Sequence, residues 1–234
     1  MSVVRAIVLG RQAYGDKGLR ISVLTHDQGV ESIFLKHGVR KGTSSGYWSL
    51  GAIVRCERKS NRGKLSLRAV EVELMMKRAS SDLDVFHHLS YVLEIGRALG
   101  RDHALSAEAF ELFTAYLAFL ETSGADMYRL FTWQLALFGA LGMSLNPWPC
   151  QLTGEVPNGF SIEHGGAVRT QDCPTALPVD TPALRSLARA WEMDYESSSS
   201  AHISPLTILM QRLWTGLLGY PLKSASFLNN VGRG

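Results

Sequence analysis

The first third of the chain alternates apolar and polar residues in short runs, and this period of two predicts β-strands. Strands are predicted at 3–9, 19–25, 30–35, 47–57 and 65–74. The turn residues Asp27-Gln28-Gly29 indicate a hairpin between the second and third of them. Five strands in roughly 75 residues without a long helix favour a small closed barrel, and the OB-fold is the five-stranded candidate.

After residue 80 the apolar period changes to about 3.6, which predicts helices. Helices are predicted at 83–99, 106–121, 126–141, 182–191 and 205–218. Ser80-Ser81-Asp82 offers N-cap side chains at the start of the first helix, and Gly100 is placed to end it. The predicted fold is therefore α+β: a five-stranded OB-fold β-barrel over 1–78, then an α-helical domain over 79–234 with an irregular insert at about 146–178.

The charge is divided unevenly between these two parts. The whole chain has a net charge of +3, but residues 1–78 carry +9 and residues 79–234 carry −6. A basic module of this kind indicates a polyanionic partner, most commonly nucleic acid. Lys and Arg in the loops of an OB-type barrel would bind phosphates, and the candidates are Arg11, Lys17, Arg20, Lys36, Arg40, Lys41, Arg58, Lys59, Arg62 and Lys64.

Aromatic residues are interleaved with these basic positions. Tyr14, Phe34, Tyr47 and Trp48 offer ring faces on which nucleic-acid bases can stack. For each of them taken singly, packing in the core is the favoured interpretation.

The cysteine pattern does not predict a metal site. Three cysteines, an odd and sparse number, argue against a disulfide framework and fit a reducing compartment. Cys150, Cys173 and His164 fall in the irregular insert, but a structural zinc ion needs four ligands, usually from closely spaced pairs. No metal and no cofactor are therefore predicted.

The sequence also gives no motif for catalysis. It has no nucleophile elbow and no glycine-rich phosphate loop in a strand-to-helix context. His87 and His88 are neighbours on a predicted helix and point about 100° apart, so they make no catalytic pair. With no signal-peptide pattern and no apolar run long enough to span a membrane, the protein is expected to be a cytoplasmic non-enzyme.

Four ordered segments of the chain resemble the RecO family, the bacterial recombination mediators of DNA repair. They are residues 6–9 followed by Tyr14-Gly15-Asp16 and Leu19, residues 29–41 with the basic loop Gly38-Val39-Arg40-Lys41, residues 135–142, and Tyr220-Pro221-Leu222-Lys223-Ser224 with Phe227-Leu228. Met143 stands where the family usually has tyrosine. The segments span nearly the whole length.

The resemblance implies a function as well as a fold. RecO proteins bind single- and double-stranded DNA, anneal complementary strands, and act with RecR and the single-strand-binding protein SSB to load RecA onto coated strands. Many carry a four-cysteine zinc site. This chain keeps one cysteine of each expected pair, Cys150 and Cys173, and so looks like the metal-free branch, with a degenerate zinc-site-like insert.

The resemblance also predicts a site for the acidic tail of SSB, which ends in a hydrophobic residue with a free carboxylate. Such a tail needs an apolar floor and one or two cations. The candidate cations are Arg97, Arg101, Arg129 and Lys223, of which Arg97 and Arg101 are four residues apart on one predicted helix face. The alternative is that they are ordinary surface cations paired with Glu94 or Glu108.

Two other classes of protein stay open at this point. One is an RNA-binding or ribosome-associated OB-fold protein, because the basic loops and aromatics do not distinguish RNA from DNA. The other is an enzyme that uses Cys150 or Cys173 as nucleophile with His164 as base.

Overall fold

A computed structural model describes residues 2–14, 18–35, 48–61, 64–101, 105–195 and 199–228. The chain forms two compact units, Met1–Gly124 and Ala125–Gly234. The sequence placed its boundary near residue 78, where strands give way to helices. The first compact unit continues beyond that point and takes in two helices.

The first unit is built on a five-stranded antiparallel sheet, and this part of the predicted fold is confirmed. Its strands are β1 (Ser2–Tyr14), β2 (Gly18–Thr25), β3 (Gly29–Leu35), β4 (Ile53–Asn61) and β5 (Lys64–Leu74). They pair in the order β3-β2-β1-β4-β5, so that β1 lies between β2 and β4. This connectivity is consistent with an OB-fold.

The fourth strand begins at Ile53, whereas the sequence predicted a start at residue 47. Residues just before it form a turn in which the Gly51 N–H donates to the Val8 carbonyl at 2.8 Å. Gly51 has a φ of 73°, a left-handed conformation that favours glycine. This turn brings the Trp48 side chain into the barrel core, where it is 4 % exposed. Tyr47 lies outside the described residues.

Alternating positions of the strands fill the barrel. The enclosed cluster contains Val4, Ala6, Val8, Ile21, Val23, Ile33, Trp48, Ala52, Val54 and Cys56. A β-bulge between Val8 and Gly10 shifts the register of β1 against β2. Beyond the bulge, β1, β2 and β3 continue as a three-stranded ribbon without β4, because β4 pairs only with Ser2–Ile7 of β1.

Helices α1 (Leu83–Leu99) and α2 (Ala107–Ser123) complete the first unit. Leu9 and Leu24 on the outside of the sheet are fully buried, and a Cβ added to Gly96 of α1 would lie 3.5 Å from each of them. The sheet therefore has apolar surface on both faces, and α1 covers the outer one. The caps agree with prediction, since Asp82 accepts from the backbone of Asp84 and Val85.

His88 of α1 is a buried histidine that links the two helices. Its Nδ1 lies 2.9 Å from the Tyr116 hydroxyl of α2. Burial, assisted by the neighbouring His87, lowers the pKa of His88 to about 4. The ring is therefore neutral in the folded protein at pH values where an unfolded chain would already be protonated.

The stability of the protein is expected to fall with acidification because of His88. Between an unfolded pKa of about 6.5 and the folded value of about 4, only the unfolded state gains the proton, at a cost to stability of at most about 3 kcal/mol. Urea unfolding from pH 7.5 to 4 measures this loss. His88→Asn, which keeps a polar partner for Tyr116, should flatten that part of the profile. Parallel profiles for the two proteins would contradict the assignment.

The second unit is mainly helical, with α3 (Met127–Ala140), α4 (Thr181–Trp191), α5 (Ile203–Leu218) and the short α6 (Ala225–Leu228). Trp214 of α5 is fully buried, stacks on Phe138 at 4.5 Å and donates its indole N–H to the Gln134 side chain at 2.8 Å. In the described residues of both units, no helix is long and apolar enough to cross a membrane.

Between α3 and α4 lies a small three-stranded sheet, β6 (Gly159–Ser161), β7 (Gly166–Val168) and β8 (Leu177–Pro178), in the order β7-β6-β8. The chain turns between β6 and β7 at residues 162–165, where the Gly165 N–H donates to the Ile162 carbonyl at 3.1 Å. Gly166 sits against Asn146, whose carbonyl accepts from Ala167 at 2.8 Å. A Cβ at Gly166 would lie 2.1 Å from that carbonyl oxygen.

Gly166→Ala is expected to destabilise the second unit by roughly 2–3 kcal/mol. The added Cβ would overlap the Asn146 carbonyl, and alanine rarely adopts the φ of 134° found at this position. Gly139→Ala is the matched control. Gly139 is helical and has no atom within 4 Å of an added Cβ, so alanine there should stabilise by about 0.5–1 kcal/mol. Denaturant unfolding measures both, and equal behaviour of the two variants would contradict the steric argument.

Candidate nucleic-acid interface

The described basic candidates do not lie in one place. Arg11 on β1 and Arg20 on β2 are both exposed. Their neighbours across the strands differ, because Arg11 pairs with Ile21 and Arg20 with Gln12, so the two arginines belong to opposite faces of the ribbon. Lys59 and Lys64 lie on β4 and β5 near the turn that joins them. Five candidates fall outside the described residues: Lys17, Lys36, Arg40, Lys41 and Arg62.

Arg58 has a different position from the one expected of a phosphate-binding residue. It follows Val54 and Cys56 on the inward face of β4, and its side chain is only 11 % exposed. Its guanidinium forms ion pairs with Asp27 and Glu31. The hydrogen bond from Arg58 lowers the pKa of Asp27. Because two carboxylates neutralise this arginine at one end of the barrel, it is not part of the interface described here.

The exposed aromatics form a compact group on the ribbon. Tyr14 is 60 % exposed and Phe34 is 54 % exposed, and their rings meet edge to face with centroids 5.1 Å apart. The favoured core interpretation therefore holds for Trp48 but not for these two. Exposed rings on β1 and β3, on either side of β2, are what a base-stacking platform requires.

Arg20 completes the group. It is paired directly with Phe34 across β2 and β3, and its guanidinium carbon lies 5.8 Å from the centre of the Phe34 ring. Arg20 also donates to the Ser32 hydroxyl through Nε at 3.1 Å and Nη2 at 3.0 Å. These contacts orient the side chain and leave N–H donors unused.

We call Tyr14, Arg20 and Phe34 the aromatic–arginine patch. Within the part of the chain that the structure describes, no carboxylate lies within ion-pair distance of Arg20, although the arginines at 5, 55 and 58 each contact carboxylates. The patch thus combines two ring faces with one uncompensated cation. Chemically, it can stack bases and bind a phosphate of the same strand.

The cysteines of the insert are buried and reduced. Cys173 Sγ lies 3.6 Å from His164 Nδ1, which is also 3.1 Å from the Ser161 hydroxyl. Burial raises the pKa of Cys150, but hydrogen bonds from Thr153 and from nearby backbone N–H groups outweigh it and the net shift is downward. Among the described residues, no three His, Cys, Asp or Glu side chains are placed to hold a metal ion.

The four predicted partner-binding cations fall in different surroundings. Arg97 on α1 donates to the Leu9 carbonyl at 2.7 Å. Arg101 lies beyond the end of α1 at Leu99, so the expectation that it shares a helix face with Arg97 is wrong. Arg129 on α3 lies 3.9 Å from the centre of the Tyr195 ring. Lys223 is exposed in the turn after α5.

Comparison with known proteins agrees with the sequence resemblance. No family model matches the chain. The RecO protein of Myxococcus xanthus (strain DK1622) is 28 % identical over 247 residues, which cover 97 % of this chain and 96 % of that protein. The RecO protein of Anaeromyxobacter sp. (strain K) is 27 % identical over 248 residues, covering 97 % and 95 %. Both are named DNA repair proteins.

The first unit has an OB-type sheet with exposed aromatics and an arginine that no described carboxylate pairs with, and a helical unit follows it. These features are typical of the class of nucleic-acid-binding proteins. Within that class, the matches over nearly the full length of the chain are to RecO proteins. The chain is similar over about 97 % of its length to four RecO proteins at 27–28 % identity, and this similarity supports a role in DNA repair.

Proposed function

We propose that the protein is a recombination mediator that binds single- and double-stranded DNA and anneals complementary strands. The observation that carries the proposal is the aromatic–arginine patch on β1, β2 and β3. The similarity to RecO proteins, which are named DNA repair proteins, supports DNA, and not RNA, as the strand that this patch contacts. No covalent chemistry is needed, and we propose that the protein is not an enzyme.

The mechanism is electrostatic and geometric. Two strands that approach each other repel through their phosphates, and a basic surface lowers this repulsion and raises the local strand concentration. The rings of Tyr14 and Phe34 stack on the faces of bases, and such stacking accepts any base. Arg20 and the basic residues of the loops bind phosphates and do not read base identity.

The proposal includes the partners that the family resemblance implies. Docking on the acidic tail of SSB would bring the protein to coated strands, and RecR would act with it to load RecA. These steps place the protein in the cytoplasm at the nucleoid. The exposed cations Arg101 and Lys223 are the candidates for contact with the tail.

Arg20→Gln tests the electrostatic part of the proposed mechanism. Because one phosphate contact is lost, the slope of log K against log salt for single-stranded DNA should become shallower by roughly 0.7, evenly across sequences. A fluorescence titration at several salt concentrations measures it. Arg55→Gln is the control, since Arg55 is exposed on β4 but paired with Glu71 at 3.3 Å. Equal slopes for the two variants would mean that net charge alone matters.

Competition of labelled single-stranded DNA against unlabelled RNA of the same sequence tests whether the protein prefers DNA or RNA. We expect DNA to compete at least as well as RNA. Strong preference for RNA, with no annealing of DNA, would overturn the proposal in favour of an RNA-binding OB-fold protein.

A further inference from the structure

A cationic cavity lies in the second unit, along α4. It has a volume of about 440 Å³ and is bordered by the single turn at Ser200–His202. We call it the α4 pocket, and its walls are formed by Thr181, Pro182, Arg185, Ser186, Arg189, Ser199 and His202. A cavity of this size can enclose a phosphate with its sugar.

Two arginines give the pocket its charge. Arg185 and Arg189 are four residues apart on α4 and therefore lie on the same face. In the described ranges neither has a carboxylate within ion-pair distance. Arg169 of the same unit behaves differently, since it is paired with Glu155 and Asp172. The pocket thus holds two positive charges that the described part of the protein does not neutralise.

Arg185 is held in place by an aromatic ring. Its guanidinium carbon lies 5.3 Å from the centre of the half-buried Trp148 ring. A cation–π contact uses the face of the guanidinium group and leaves its N–H donors at the edge for an anion. This arrangement lowers the entropy that the side chain would lose on binding.

The remaining lining residues limit where in the pocket an anion can bind. The Thr181 hydroxyl is used internally, donating to the Pro157 carbonyl at 2.6 Å, and Pro182 is the one apolar side chain among the lining residues. Asp180 lines the adjoining cavity, so an anion fits best at the end formed by the two arginines.

We infer that the α4 pocket binds a phosphate group of a nucleic-acid strand and provides a strand contact in the second unit. The inference rests on the proposed function, because an annealing protein must hold two strands. It adds a site that the barrel does not contain. His202, at the end of the turn Ser200–His202, is also among the residues that line the pocket.

The test compares the full-length double variant R185Q/R189Q with the wild type, and R189Q singly with R212Q. Arg212 is exposed on α5, outside the pocket, and also has no carboxylate partner among the described residues, so it is a matched control. For the double variant we expect a loss of single-stranded DNA affinity of roughly tenfold and a salt slope shallower by about 1.4. R189Q should show about half of that change in slope, and R212Q none.

Hydrogen–deuterium exchange locates the contact independently of affinity. An oligonucleotide should protect the amides of residues 181–189 in the wild type. Protection by millimolar inorganic phosphate but not by the oligonucleotide would overturn the strand assignment in favour of a small phosphorylated ligand. Protection by an acidic peptide alone would overturn it in favour of a protein partner.

The two proposals fail in different ways. If the wild type binds no strand, the proposed function fails and the pocket with it. If the wild type binds DNA and loses affinity on substitution of Tyr14 and Phe34, yet R185Q/R189Q keeps the wild-type slope, only the α4 pocket is overturned.

Discussion

Replacing both rings of the aromatic–arginine patch, in Tyr14→Ala/Phe34→Ala, is expected to weaken single-stranded DNA binding by roughly thirtyfold or more. Each stacked base contributes about 1–3 kcal/mol, and both rings are more than half exposed, so their loss removes binding surface and little folding energy. The salt slope should stay unchanged, because no charge is removed. Fluorescence titration at several salt concentrations separates the two effects.

Val3→Ala is the control for this variant. Val3 is an exposed apolar residue on the same strand, 55 % accessible, at the opposite end from Tyr14. It should bind DNA as the wild type does. If the double variant also binds as the wild type does, or if Val3→Ala is equally weakened, base stacking on the patch is excluded.

Arg58→Met is expected to destabilise the protein by roughly 3–5 kcal/mol, the range found when one partner of a buried ion pair is removed. The substitution leaves Asp27 and Glu31 without their shared cation, and Glu31 is only 14 % exposed. Thr25 still donates to Glu31 at 2.9 Å but cannot balance the charge. Urea unfolding at pH 7 measures the loss.

A companion variant separates this structural role from DNA binding. In Arg58→Met/Asp27→Asn/Glu31→Gln the like charges are gone, and most of the lost stability should return. Its DNA affinity should match that of the wild type at every salt concentration. A stable Arg58→Met protein with a shallower salt slope would instead place Arg58 among the phosphate contacts.

Hydrophobic periodicity predicts the five strands of the first unit and helices α1 to α5, because burial is the main determinant of both kinds of element, but it did not predict β6, β7, β8 or α6. Helix α1 shows this directly. Its apolar positions repeat near 3.6, Asp82 caps its start and Gly100 follows its end, as predicted. The fourth strand was placed too early because Trp48 is as apolar as a strand residue, although it reaches the core from a turn.

Hydrophobic periodicity did not show where the first unit ends. Leu9 and Leu24 look like ordinary strand residues, and only the folded sheet shows that they face outward and need a cover. Helix α1 supplies it. Packing between distant elements, and not a change of local pattern, therefore decides where the unit ends.

The candidate site could be predicted only in part, because a β-bulge changes which residues of β1 face outward. A strict period of two starting from Val4, Ala6 and Val8 would put Tyr14 inside the barrel. The bulge at Val8/Gly10 reverses the parity, so Tyr14 faces outward with Arg20. Arg58 was predicted to bind phosphate, but no bulge separates it from Cys56, so the period of two places it on the inward face of β4.

The α4 pocket shows a different limit. The spacing of Arg185 and Arg189 is visible in the sequence, but the opposite wall comes from residues 199–202. A cavity formed by segments that are distant along the chain has no local signature. The Trp148 ring beneath Arg185 is another such contact.

The rate of annealing of two complementary oligonucleotides, bare and coated with SSB, tests the central claim most directly. We predict that the wild type accelerates annealing of both, that high salt abolishes the effect, and that Tyr14→Ala/Phe34→Ala loses most of it at low salt while Val3→Ala keeps it. Wild-type protein that binds DNA but leaves both annealing rates unchanged would contradict the account of this protein as a strand-annealing recombination mediator.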